Sequence, residues 1–145
     1  MKVVRRAVRN GFAILLFLWS CAGNRTAGPS LEVVQKHFKA FNWHDVADLT
    51  ARLDTGFVWY SIDGDKVSVE VRGREQFEAG MKSYFESFPT VRSEIEEATV
   101  TGRFVVIRER VTWTQNGQEK TQSGLGVYEI EGGKILRVWY YASEE

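Results

Sequence analysis

The chain has 145 residues, 19 basic and 19 acidic side chains, a formal net charge of zero and one cysteine. That length suits one domain with a real core, and an aromatic share of 13%, with five Trp and nine Phe, excludes a disordered chain. The balanced charge gives no electrostatic reason to expect nucleic acid or anionic substrates, and a lone cysteine excludes an internal disulfide framework.

Residues 1–21 read MKVVRRAVRNGFAILLFLWSC. Lys2, Arg5, Arg6 and Arg9 make a basic head, and Phe12 to Trp19 is an unbroken apolar run, too short to span a bilayer as a helix. This is the pattern of a secretory signal. The segment LWSC, Leu18 to Cys21, resembles a bacterial lipobox, with Leu18 and Ser20 in the expected places. The resemblance implies that Cys21 becomes the lipidated first residue of a mature protein anchored by that lipid in the bacterial cell envelope, outside the cytoplasm. A simple secretory peptide and an uncleaved anchor are the alternatives. Residues 22–29, AGNRTAGP, are small, polar and Gly-rich, as a tether would be.

The folded domain is expected over residues 30–143. Ser30 is placed to cap a first helix, in which Val33, Val34, His37, Phe38 and Phe41 share one face. HDVADLTARL, residues 44–53, predicts a second, shorter helix capped by Asp45, with Val46, Leu49 and Leu53 inward. FVWYSI (57–62) and KVSVEV (66–71) predict a hairpin through Asp-Gly-Asp. Phe77, Met81, Tyr84, Phe85 and Phe88, spaced by three and four, predict a third helix that Pro89 ends. Strands follow near 91–101, 103–115, 118–130 and 134–142. The architecture is α+β: a curved antiparallel sheet wrapped on three helices.

Taking every second residue of FVVIRERVTW gives Val105, Ile107, Glu109, Val111 and Trp113, an apolar stripe with one carboxylate in it. Asn116-Gly117 predicts a two-residue turn, and that turn fixes the register: Glu109 faces Gly124, Ile107 faces Gly126 and Val105 faces Tyr128. The two glycines leave a gap in side-chain volume beside Glu109. The other face, with Arg108, Arg110, Thr112, Glu119, Thr121 and Ser123, reads as the wet side. The last strand has two readings. A Gly-Gly turn puts Arg137, Trp139 and Tyr141 on the Glu109 face; a three-residue turn with a bulge puts Leu136, Val138, Tyr140 and Ala142 there.

The element order, the GRE opening of the third helix and the run from FNWHDVADLTARL to EGGKILRVWYYAS resemble the nuclear transport factor 2-like superfamily, and within it the SnoaL-like and steroid-isomerase-like branch. The resemblance implies a cone-shaped, cystatin-like α+β roll around an apolar pocket for a small hydrophobic molecule. It also implies homodimers through the sheet in many members and isomerase, cyclase or hydrolase activity in some, and it favours the second reading of the last strand. The steroid-isomerase positions for the oxyanion tyrosine, the base and the protonated aspartate fall on His37, Ser61 and Gly126, so none of the three residue types is kept.

The site candidates are therefore this chain's own. Glu109 and His37 are the acid/base candidates, with Tyr60 assisting; the competing readings are a structural carboxylate and a half-buried core histidine. Phe41, Trp59, Tyr60, Ile107, Trp113, Gly124, Gly126 and Tyr128 are the expected pocket lining. Two histidines and a lipid-bearing cysteine are too few for a metal site, and no cofactor motif occurs. Three functional classes stay open: a small-molecule binder, an enzyme and a dimeric scaffold whose cone is filled by its own aromatics.

Overall fold

The fold is taken from a computed structural model that describes residues 28–142; the leader, Cys21 and the tether as far as residue 27 lie outside the described residues. The order is α1 (Pro29–Asn42), α2 (Val46–Ala51), β1 (Leu53–Asp63), β2 (Lys66–Arg72), α3 (Arg74–Ser87), β3 (Arg92–Thr101), β4 (Phe104–Gln115), β5 (Gln118–Glu131) and β6 (Lys134–Ala142). This is the α+β arrangement expected from the sequence, with the helices packed on one curved six-stranded sheet.

Local signals account for most boundaries. Pro29 opens α1 because a first-turn residue needs no N–H partner, and extended Gly28 precedes it as the N-cap. Ser30 is therefore already helical and not the cap; its hydroxyl donates to Gly102 O at 3.3 Å. Asp45 does cap α2, accepting from Asp48 N at 2.9 Å. The helix ends sooner than its apolar spacing suggests. Leu53 already belongs to β1, where it pairs with Ile135. Asn116 and Gly117 hold φ of 53° and 74°, the backbone of a tight type I′ turn, and the β4–β5 register is the one expected from it.

The sheet order is β2-β1-β6-β5-β4-β3. It is not wholly antiparallel, because β1 and β6 run parallel at its centre. The direction follows from the route. The chain leaves the β1–β2 hairpin, crosses by α3 to the far edge, and returns through a four-stranded meander whose last strand arrives beside β1 pointing the same way.

Four register shifts interrupt the sheet, at Trp59/Tyr60, between Leu53 and Val58, at Ile95/Glu97 and at Glu129/Ile130. The fourth decides the last strand. Gly132 and Gly133 form a two-residue turn, with Glu131 opposite Lys134 and Ile130 opposite Ile135, but Glu129 then pairs with Arg137, leaving Leu136 unmatched. One extra residue turns the strand over, so Tyr140 and not Trp139 or Tyr141 lies on the Glu109 face, opposite Gly126. The expected bulge is present, but it sits in the strand and not in the turn.

The core lies between the helices and the inner face of the sheet. Val34 and Phe38 of α1, Leu49 of α2, and Phe77, Met81 and Phe85 of α3 pack on Phe57, Val105, Ile107, Ile130, Ile135 and Val138. The outer face of β3–β4 is a ladder of charges: Arg108 pairs with Glu96 and Glu97, and Arg110 with Glu94 and Glu96.

Candidate functional site

A cavity of about 700 Å³ opens between α1, α3 and the inner face of the sheet. Such a volume is in the usual range for small-molecule sites. Its wall is chiefly apolar, with rings from Phe41, Trp59, Tyr84, Phe88, Trp113 and Tyr140, and both Glu109 and His37 lie on it. Glu70 and Gln122, both exposed, stand at its rim.

Glu109 is carried inward by the alternation of β4 and is only 8% exposed. Among the described residues no cation pairs with it. One oxygen accepts from the Ser93 hydroxyl of neighbouring β3. Ser93 is held in turn by Asn42 at the end of α1: the Asn42 amide donates to Ser93 O and accepts from Ser93 N, each at 2.7 Å. Because β3 is the sheet edge, these two bonds occupy backbone groups that no further strand would meet. Burial pushes the Glu109 carboxyl above its ordinary value, and the Ser93 bond partly opposes that.

Three phenols stand within the field of this carboxylate, one each from α3, β5 and β6. Burial raises Tyr84, Tyr128 and Tyr140, and the Glu109 charge raises each further; Tyr140 is pushed up to about 12. All three are neutral at physiological pH. Tyr140 is seated by Gly124: a Cβ there would fall on the Tyr140 hydroxyl and lie 2.6 Å from Cζ. The gap beside Glu109 is thus occupied by an aromatic from the last strand. The space at Gly126 is likewise taken, since a Cβ there would lie 2.9 Å from Tyr128 Cε2 and 3.3 Å from Ile107 Cγ1.

His37 projects from α1 among Phe38, Phe77 and Tyr128, with ring centroids 6.2–6.4 Å away. Burial lowers it from 6.5 to about 4; the Arg52 charge lowers it too, and Asp48 acts in the opposite sense. It is a neutral imidazole at pH 7. Its Nδ1 is buried with no hydrogen-bond partner among the described residues. His37 and Glu109 share the cavity wall but are not bonded to each other; Tyr128 packs against His37 and feels the Glu109 charge.

The structure sorts the expected lining. Phe41, Trp59, Trp113 and Tyr128 line the cavity. Tyr60 does not: it neighbours inward Trp59 in β1, so it points to the outer face, where it stacks on Trp139 at 5.7 Å and 9°. It cannot assist Glu109. Ile107 is fully buried beneath the wall, and Gly124 and Gly126 are covered by the rings named above. Arg137 and Tyr141, which the other register would have brought to Glu109, lie elsewhere: Arg137 pairs with Glu129 at 2.6 Å, and Tyr141 is exposed. Ser61, at the steroid-isomerase base position, lines the cavity and donates to Glu70. Reading the sequence missed Ser93, Asn42, Tyr84 and Tyr140 as site residues. Ser93 left one signal, a small polar residue between Val91 and Ile95 on an inward stripe. No group of three or more His, Cys, Asp or Glu that could hold a metal occurs among the described residues.

Comparison with known proteins agrees with this architecture. Residues 34–138 match the sequence model of the SnoaL-like domain. An uncharacterised cystatin-fold protein from Novosphingobium aromaticivorans superposes with a TM-score of 0.67 at 25% identity, over 77% of this chain and 96% of that one. A SnoaL-like polyketide cyclase from Jannaschia sp. CCS1 gives 0.64 at 22%, over 79% and 85% of the two chains. An epoxide hydrolase of M. tuberculosis gives 0.64 at 17%, over 79% and 83%, a likeness of fold alone. A search of curated proteins finds no match. With the family match running from within α1 to within β6, the chain belongs to the SnoaL-like domain family.

Proposed function

We propose that this domain binds a small, largely apolar molecule in its cavity, with Glu109 as the polar contact that orients it. The observation that carries the reading is a wall of aromatic and aliphatic side chains around about 700 Å³, with one buried carboxylate on it. Filling such a space removes apolar surface from water, at roughly 25 cal/mol per Å². Native mass spectrometry of the isolated chain tests it: a co-purified molecule released on denaturation is expected. A cavity that takes up neither a cellular molecule nor an added naphthalene-sized probe returns the protein to the scaffold class.

A second reading is catalytic, favoured by Glu109 and His37 lying on one wall. A carboxyl raised by burial and a neutral imidazole suit proton transfer beside a carbonyl. The cyclase and hydrolase that share this fold are consistent with such chemistry, without specifying it here. The assay is deuterium wash-in from D2O at the α-carbon of cyclic diketones. Wash-in that falls about 100-fold in Glu109→Gln supports the role, whereas an unchanged rate removes it.

The proposal extends to place and assembly. The leader and Cys21 support a lipid anchor in the cell envelope, outside the cytoplasm; labelled fatty acid incorporated by the native chain and lost in Cys21→Ser is the expected result. The outer sheet face, where Leu125 and Tyr141 stay 41% and 40% exposed, supports a contact between two copies. Sedimentation of Leu125→Glu as a smaller species than the native chain would agree with that.

A further inference from the structure

We infer that the occupant of the cavity is an organic monocation, an amine carried on an aromatic or alicyclic body and held by Glu109. The inference rests on the small-molecule reading above and narrows it to a ligand class.

Among the described residues that line the cavity there are two carboxylates, Glu109 within and Glu70 at the rim, and neither lysine nor arginine. Arg52, whose charge reaches His37, is engaged by both oxygens of Asp48 at 2.8 and 2.6 Å and is not part of the wall. An anionic ligand would meet like charges in a low-dielectric space. A pure hydrocarbon would strip water from Glu109 and leave it only the Ser93 hydroxyl. An ammonium group supplies the counter-charge that the described wall does not.

The rings of the same wall favour the same class. Phe41, Tyr84, Phe88 and Trp113 form a continuous lining, with successive centroids 6.2, 5.1 and 6.4 Å apart. Their faces carry negative charge density and attract cations, most strongly where water is excluded. The phenols of Tyr84, Tyr128 and Tyr140 stay neutral, so they add polar edges without a competing charge. Both parts of such a ligand are matched: the apolar body by the aromatic wall, the ammonium by Glu109.

Three probes with one bicyclic body and different charge separate this from the broader reading: naphthylmethylamine, naphthylmethanol and naphthoate, titrated calorimetrically into the chain as isolated at neutral pH. The amine is expected to bind about tenfold tighter than the alcohol, the naphthoate weakest, and Glu109→Gln should abolish the amine's advantage over the alcohol. Gln122→Lys is a second variant, at an exposed rim position opposite Val111, where a lysine is readily accommodated. It should weaken the amine and strengthen naphthoate. An alcohol that binds as tightly as the amine, or an amine advantage that survives both variants, overturns the inference and leaves the small-molecule reading standing. Failure of all three probes overturns both.

Discussion

Glu109 and His37 pull stability in opposite directions along the pH axis. The Glu109 carboxyl is raised in the folded chain, so the folded state holds its proton more tightly than the unfolded one. Its contribution is fully present below about 4.5 and is lost as pH rises through the folded value. Glu109→Gln keeps the shape and removes the charge. Its melting temperature relative to the native chain should therefore climb between pH 5 and pH 8; a constant offset would mean that the carboxylate is not desolvated. His37 is lowered to about 4, so stability is intact above about 6.5 and declines toward pH 4 as the unfolded state takes up a proton first. That decline is on the order of 3 kcal/mol, and His37→Gln should flatten it in urea titrations at pH 4 and pH 7. Gly124 acts by what it lacks. In Gly124→Ala the new methyl group displaces the Tyr140 ring, with an expected loss of about 1–3 kcal/mol. A Tyr140→Leu background should shrink that loss, which a double-mutant cycle by thermal unfolding would show.

The contact between α1 and the β3 edge has its own test. Asn42→Ala removes two 2.7 Å bonds to the Ser93 backbone and leaves the Glu109 partner less well held. A loss of about 1–3 kcal/mol is expected, with faster amide exchange at Ser93 than elsewhere in β3. At this scale the sequence was informative wherever local chemistry dominates. Asn116-Gly117 fixed a register over the whole of β4–β5 because only one turn type suits those two residues, and helical spacing found the buried faces of α1 and α3. It was uninformative where a distant partner decides. Leu53 joins β1 because Ile135 is there to receive it, and the Leu136 bulge appears only in the pairing of β6 with β5. The site divides the same way. Glu109 stood out as a charge in an apolar stripe, whereas Asn42–Ser93, 51 residues apart, had no local signature. Tyr60 was misplaced because one step along a strand changes the face, and its neighbour Trp59 took the inward one.

For the molecule as a whole, the helices and the charged ladder on the outer face of β3–β4 divide the roles. One side of the sheet is closed over a cavity, while the other is laced by Arg108 and Arg110 to three glutamates and grades into exposed Leu125 and Tyr141. The parallel pairing at the sheet centre has a consequence for how the chain reaches this state. β2-β1 and β5-β4-β3 are each assembled from neighbours in sequence, but they are joined only through β6, the last strand described. Leu53 meets Ile135 across most of the domain's length, so the closing step carries a large loop entropy and comes late. Until β6 docks, β1 and β5 each present an open edge on which another chain could pair. A protein synthesised without its final strand would not be a slightly smaller sheet but two unconnected half-sheets with the cavity between them undone.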